Sequence, residues 1–575
     1  MKSYKSIVLI AIGLATLMTA CKKAEIFPVN NISINYVFDP RDSAGTNAQA
    51  YLLYVYTVLK SGHNRVDNDY IDAAADDAVS SATGRDVTIL STGGYSAVSF
   101  PTSENYWTGT NSYNTYNYWS GIRFATEFTN NIGVVPVKGS TNGVSTRWIW
   151  QSEARFLRAY YYFELVKRWG GVPLLGNTVY NINDNVLLPR SNFADCITYI
   201  VNELDAIKDS LLTVPLANPA QDNYRVTKGA ALALKAKVLL YAASPLYNNS
   251  SNTNPLLGYV GYSASRWALA ASAAKDVMNL GTYSLDLTSF KNVFTTYNDP
   301  EVMFIKTVDD GHSVETLNGP PGFGSQLGDG NTSPTQDLVN AFPMINGLPI
   351  TDAASGYDPN NPYANRDPRL SYTVLVNGAP WLNTTIQSYQ GGINAPNNGQ
   401  QQTVTGYYLR KFMGPQEYTS SYQNHDEDWV ILRYAEILLD YTEAENEVTS
   451  APGSDVYANL EELRKRAGIQ AGSDGTYGIG SGLTQAQMRA VIQNERRIEM
   501  AFEEQRFFDI RRWEIAPTVM NQPRMGVSIT NSNGSLTYNY VPVLTTKFIA
   551  PKMYYYPIPY DEVLKNPNMK QNPGW

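Results

Sequence analysis

The chain has 575 residues, 17% of them charged, with a net charge of −8, 41 tyrosines and 10 tryptophans. That acidic balance argues against a nucleic-acid partner held through its phosphates. Sparse charge with many aromatic rings instead suits neutral polar ligands such as sugars, whose apolar faces a flat ring can cover.

Lys2 and Lys5 precede the apolar run Ile7–Ala20, so residues 1–20 read as a signal peptide, too short for a comfortable membrane span. Leu17-Met18-Thr19-Ala20-Cys21 has the form of a bacterial lipobox. Cys21 is therefore the expected lipidation site, and the chain is expected to be anchored to a membrane rather than to cross it. Residues 21–46 form a tether and the first ordered segment. The other cysteine, Cys196, is expected to be a small buried hydrophobe, so the fold must hold without a disulfide.

Residues 47–283 form the first helical region, opening with a helix over Asn47–Lys60. The acidic run 66–81 contains Asp67-Asn68-Asp69, but it lacks the glycine and terminal glutamate of a calcium loop. In 91–119, Gly93, Gly94, Pro101 and Gly109 prevent any regular element, yet eight aromatic residues crowd in. An irregular segment has few ways to bury so many rings, so some are expected to face outward. Trp107, Tyr106, Tyr95, Tyr113 and Tyr116 are the resulting stacking candidates, and Trp119 is assigned to the core. Trp381 and the glycine-rich stretch 308–330 come next.

Helices are then expected at 145–169, 193–212, 227–243 and 265–280, and again at 430–447, 455–467 and 484–513. Their pairing suggests degenerate helical hairpins of the tetratricopeptide kind. Residues 284–428, rich in Gly, Pro, Asn and Tyr, read as a loop-rich elaboration over that base, and 429–575 as the second helical region. The carboxy end, 553–575, reads as a short strand, a turn and a short helix.

Within 484–513, Thr484 and Gln487 have capping-box spacing, and neither Gly nor Pro interrupts residues 488–513, so one long helix, either continuous or with a break, is expected. Glu495, Glu499, Phe502, Arg506, Asp509 and Trp513 fall on one face of it. Carboxylates among aromatics must be paired to be buried, so Arg506 and its neighbours are expected to neutralise them. The face then serves either a structural ion network of Glu495, Glu499, Arg506 and Asp509, or a carboxylate catalytic site.

Histidines 63, 312 and 425 show no paired ligand spacing, and neither a nucleophile elbow nor a Walker lysine occurs, so no metal and no cofactor is expected.

NERRIEMAFEEQRFFDIRRW (494–513) resembles the C-terminal signature of the SusD/RagB family of outer-membrane nutrient-binding lipoproteins. The similarity extends to 153–174, 225–245, 333–350, 433–447 and 554–575, while 376–425 and the aromatic segment diverge from the family. It implies a mostly α fold, a tetratricopeptide-like scaffold covered by an irregular ligand-facing region. It also implies a surface protein of a Gram-negative outer membrane that binds glycans and caps a SusC-like TonB-dependent transporter, without catalysis. Asp76, Arg85 and Asn105 would then exchange hydrogen bonds with sugar hydroxyls. Two other functions stay open: a membrane-anchored glycoside hydrolase, and a helical-repeat assembly factor that binds only protein.

Overall fold

The structure is a computed structural model and describes residues 33–109, 116–214, 225–296, 298–326, 328–396 and 402–575. Cys21 and Tyr113 lie outside the described residues.

Helices α1 (Thr46–Tyr56), α2 (Tyr118–Asn131), α3 (Thr146–Trp169), α4 (Phe193–Ile207), α5 (Lys228–Ala243) and α6 (Ser265–Met278) each pack against the next, as hairpin repeats do. The series continues through α7 (Tyr434–Val448), which packs on α6 and carries α8 (Ser454–Ala467) and α9 (Gln485–Glu499). Local chemistry sets the ends. Ser145 and Thr227 accept the Trp148 and Ala230 backbone N–H groups at the starts of α3 and α5. Lys167 and Arg168 sit in the last turn of α3, where cations favour the dipole, and Gly170 stops it at φ 76°. Thr484 and Gln487 form both bonds of a capping box on α9.

The long final helix is broken. After Glu499 the chain turns through Met500–Gln505 and resumes as α10 (Arg506–Arg512). Phe502 and Glu504 adopt left-handed backbone, φ 64° and 58°. Arg433 Nη2 and Lys411 Nζ each donate to the Glu499 carbonyl at 3.0 Å, supplying the donors a helix end lacks.

Residues 430–433, expected to be helical, belong instead to the strand β2 (Trp429–Arg433), antiparallel to β1 (Val302–Lys306). The Val/Ile/Leu run continues the sheet until Tyr434, where α7 begins. A long hairpin pairs β3 (Pro523–Ser532) with β4 (Ser535–Thr545) through left-handed Asn533 and Gly534. Met553–Tyr556 forms no strand: a 3-10 turn over Lys552–Tyr554 leads to the helix Tyr560–Lys565. The main hydrophobic core takes residues from both helical regions and the loop-rich part, with a satellite cluster around Leu438, Leu460 and Ile492. Cys196 is buried in the main core, its thiol directed to the Val172 carbonyl. Among the described residues, no helix is long and apolar enough to cross a membrane.

Candidate ligand-binding groove

In the described part of the aromatic segment 91–119, the main stacking candidates do not face outward as expected. Tyr95, Tyr106 and Trp107 are buried. Trp107 makes edge contacts with Trp119 and Trp169, Tyr106 stacks on Tyr118 beneath Arg65 and Arg168, and Tyr95 packs on Trp575. The carboxy-terminal segment is the cause: Tyr556 closes over Phe100 and Trp169, giving an irregular loop the cover it cannot make for itself. Tyr116 is half-buried, its hydroxyl bonded to that of Tyr54. Asp76 is buried in an ion pair, whereas Arg85 bonds to Asp67 and Asn105 to Thr108, both partly accessible.

The carboxylates of α9 and α10 form a buried lattice of ion pairs, with partners drawn from distant segments. Glu495 pairs with Arg369 (2.7 Å) and Arg464 (2.8 Å); Glu499 pairs with Arg369 (2.9 Å), Arg433 (2.8 Å) and Arg466. Asp509 is taken by Arg496 and Arg512. Arg506 neutralises none of these; its Nε and Nη2 reach Asp76, at 2.8 and 2.7 Å. The break after Glu499 turns Arg506 away from the α9 face, which is why helical spacing misassigned its partner. Burial alone would raise these carboxyls, but the adjacent guanidinium groups hold Glu495, Glu499, Asp509 and Asp76 below the usual carboxylate range. None of these four is poised as a general acid.

This lattice buttresses an open groove of about 400 Å3 between 363–380 and 410–418. On one side Asp367 caps the short helix Pro368–Thr373 by accepting the Arg369 N–H, and Arg369 runs from Asp367 to Glu495 and Glu499. That helix carries Tyr372, 37% exposed. The other side carries Tyr418, 82% exposed, next to Glu417. The hairpin Pro380–Trp381/Thr384–Thr385 turns through left-handed Leu382 and Asn383, whose N–H groups donate to the Gln416 and Glu417 carbonyls at 3.1 and 3.0 Å. Trp381 is wholly buried behind it, with the Arg410 guanidinium 5.5 Å from its ring. Arg410 bonds Glu417; burial raises that carboxyl, but the Arg410 charge outweighs it and the net shift is downward. The groove thus offers two accessible rings and a part-exposed carboxylate, Glu417, fixed by the buried Arg410, suited to a flat-faced, hydroxylated ligand.

A second fastening holds 414–418. Glu315 Oε1 accepts the Gly414 N–H (2.9 Å), the Gln416 amide (2.8 Å) and His425 Nε2 (3.0 Å). His425 Nδ1 donates to the Asp426 carbonyl at 2.7 Å. With both ring nitrogens facing acceptors, the bonding requires the imidazolium. Burial opposes its charge, but Glu315 offsets this and the pKa is raised. His425, Glu315 and Glu427 have ligand atoms within 4.8 Å of one another, a proximity that the sequence spacing of the histidines did not suggest. Glu427 is engaged by the Val314 N–H and the Ser313 hydroxyl, so the trio is bonded as a latch rather than an open ligand set.

Sequence reasoning missed Tyr372, Tyr418, Arg410 and Glu417. The available signal was the Gly-Pro turn at Gly414-Pro415 ahead of Tyr418, inside the divergent stretch 376–425.

A sequence model described as "SusD family" matches residues 300–575, and one described as "Starch-binding associating with outer membrane" matches 53–240. SusD-like protein P2 of Formosa agariphila is 34% identical over 149 residues, 26% of each chain. A SusD-like protein of Bacteroides ovatus is 24% identical over 501 residues, 79% of this chain and 80% of that one. The crystal structure of a SusD-like carbohydrate binding protein from Bacteroides fragilis superposes with a TM-score of 0.70 at 22% identity, covering 92% of this chain and 99% of that one. At that identity the likeness speaks to the fold.

Proposed function

The chain belongs to the SusD/RagB family, and from that premise we propose that it is a non-enzymatic, glycan-binding protein of the outer membrane. It holds an oligosaccharide in the groove between Tyr372 and Tyr418, anchored through a lipid on Cys21, and passes it to a SusC-like TonB-dependent transporter. The observation that carries this reading is the groove itself: two accessible rings on separate segments, with no unpaired carboxylate couple between them. A sugar face covers a tyrosine ring, while Glu417, already fixed by the buried Arg410, meets hydroxyls with little ordering cost. Glu417 is held ionised by Arg410, so it lacks the raised pKa that protonation of a leaving oxygen requires.

Calorimetry against a panel of plant, host and microbial polysaccharides tests the reading. Saturable binding of at least one glycan, with no new reducing ends on prolonged incubation, is expected. Release of reducing ends would make the protein a hydrolase, and silence across the panel would favour a protein-only assembly role. Fractionation of Cys21→Ala tests the anchor: the variant should leave the membrane fraction.

A further inference from the structure

A pocket of about 490 Å3 lies on the helical scaffold, where the ends of α5, α6 and α7 and the body of α9 meet the turn after α10. It shares no lining residue with the groove. Trp267 and Trp513 form part of its wall, and Tyr262, 55% exposed, stands at it. Two of its three carboxylates are satisfied. Glu443 is taken by Arg512 and by the Trp513 indole N–H at 2.7 Å, which fixes that ring. Glu447 receives Arg489 in a two-pronged pair, both contacts at 2.6 Å.

The third carboxylate, Glu514, belongs to no ion pair among the described residues. Its side chain has one donor, the Asn249 amide at 3.3 Å, and burial pushes its pKa upward. Its backbone is left-handed at φ 59°, a conformation unfavourable for a non-glycine residue that neighbouring structure must sustain. A strained, half-buried carboxylate without a cation, beside three aromatic residues, leaves negative charge where a positive one would be stabilised both by the carboxylate and by the π-faces. The Glu447–Arg489 pair on the same pocket supplies acceptors and donors for hydroxyl groups.

We propose that this pocket is a second ligand site, for a protonated primary amine carried on a sugar-sized hydroxylated ring, with Glu514 as the counter-ion. D-glucosamine is the probe, compared with D-glucose and N-acetyl-D-glucosamine in titration calorimetry at pH 6.5 on the full chain. Glucosamine should bind saturably, with both neutral sugars at least tenfold weaker. Glu514→Gln should weaken glucosamine at least tenfold, and Tyr262→Ala severalfold, while both keep the melting temperature and the affinity of whichever polysaccharide the groove binds. Equal binding of glucose and glucosamine, no saturable glucosamine binding, unchanged affinity in Glu514→Gln, or loss of glucosamine binding in Tyr418→Ala would each overturn the assignment. Because Tyr418 belongs to the groove alone, failure of either site is recognised separately.

Discussion

Tyr372 and Tyr418 line the same groove, yet the segments carrying them are fastened by different chemistry. The Tyr372 side rests on Arg369, wholly buried among Asp367, Glu495 and Glu499. Guanidinium groups do not titrate in the accessible range, and Glu495 and Glu499 are held below the usual carboxylate range by the arginines around them, so their share of this fastening is indifferent to pH until strong acid. The Tyr418 side has a guanidinium pair of its own, Arg410–Glu417, but it hangs in addition on Glu315 and the His425 imidazolium. One wall is continuous with the scaffold; the other is latched in part by a histidine whose pKa is raised by Glu315 against the opposing effect of burial. A single groove can therefore have one permanent wall and one adjustable wall.

The largest effect should come from cutting the permanent side. Arg369→Ala leaves Asp367 buried with its principal partner gone and thins the charge around Glu495 and Glu499. We expect a loss of about 3–5 kcal/mol in denaturant unfolding. A variant as stable as the parent would mean the lattice contributes little and the two walls are equivalent. Arg506→Ala comes next, at about 3 kcal/mol, because Asp76 keeps only its contact with Arg497 at 3.2 Å. Its loss lies outside the groove, so glycan affinity per folded molecule should stay within twofold.

The smallest effect belongs to the latch. His425 has a raised pKa when folded, so its hold is fully present below about 6.5 and is lost as pH rises through the folded value. Glu315 is shifted the other way, so its share is lost only as pH falls through its lowered value. Glu427 also faces this corner, and His63 nearby is kept neutral by burial, its pKa lowered to about 3. Glycan affinity should therefore be flat in mild acid and fall about fivefold, roughly 1 kcal/mol, on the alkaline side. His425→Gln should flatten the profile. A profile unchanged in that variant would remove the distinction between the walls.

How far these regions could be read from sequence also differs. Helical spacing, the Thr484–Gln487 box and the Gly170 stop are local, and the scaffold built on them stands as expected. The break after Glu499 is not local: no Gly or Pro marks it, and its donors come from Lys411 and Arg433. The same reason moved Arg506 from its supposed helix partners to Asp76, 430 residues away. Glu495, Glu499 and Asp509 were legible as paired carboxylates, because burial beside aromatics demands pairing whatever the partner. The Asn533-Gly534 hairpin was marked by its own turn chemistry and went unread. In 91–119 the error was to treat the segment as if it had to bury its rings alone, when Tyr556 and Trp575, far along the chain, provide the cover. Tyr418 stood inside a divergent insertion, and what fixes it beside the groove, the Arg410–Glu417 pair, the Leu382 and Asn383 N–H groups and the Glu315 latch, comes largely from outside its own short segment.

The central claim is that the glycan sits against Tyr418 and not on the aromatic segment 91–119. Affinity for the bound polysaccharide and melting temperature, measured together on Tyr418→Ala and Trp107→Ala, test it most directly. Tyr418→Ala should lose at least tenfold in affinity, about 1.4 kcal/mol or more, with an unchanged melting temperature. Trp107→Ala should lose about 3–5 kcal/mol of stability, while its folded fraction binds as the parent does. The reverse pattern, a stable Trp107→Ala that no longer binds and a Tyr418→Ala that binds fully, would contradict the account and return the site to the aromatic segment.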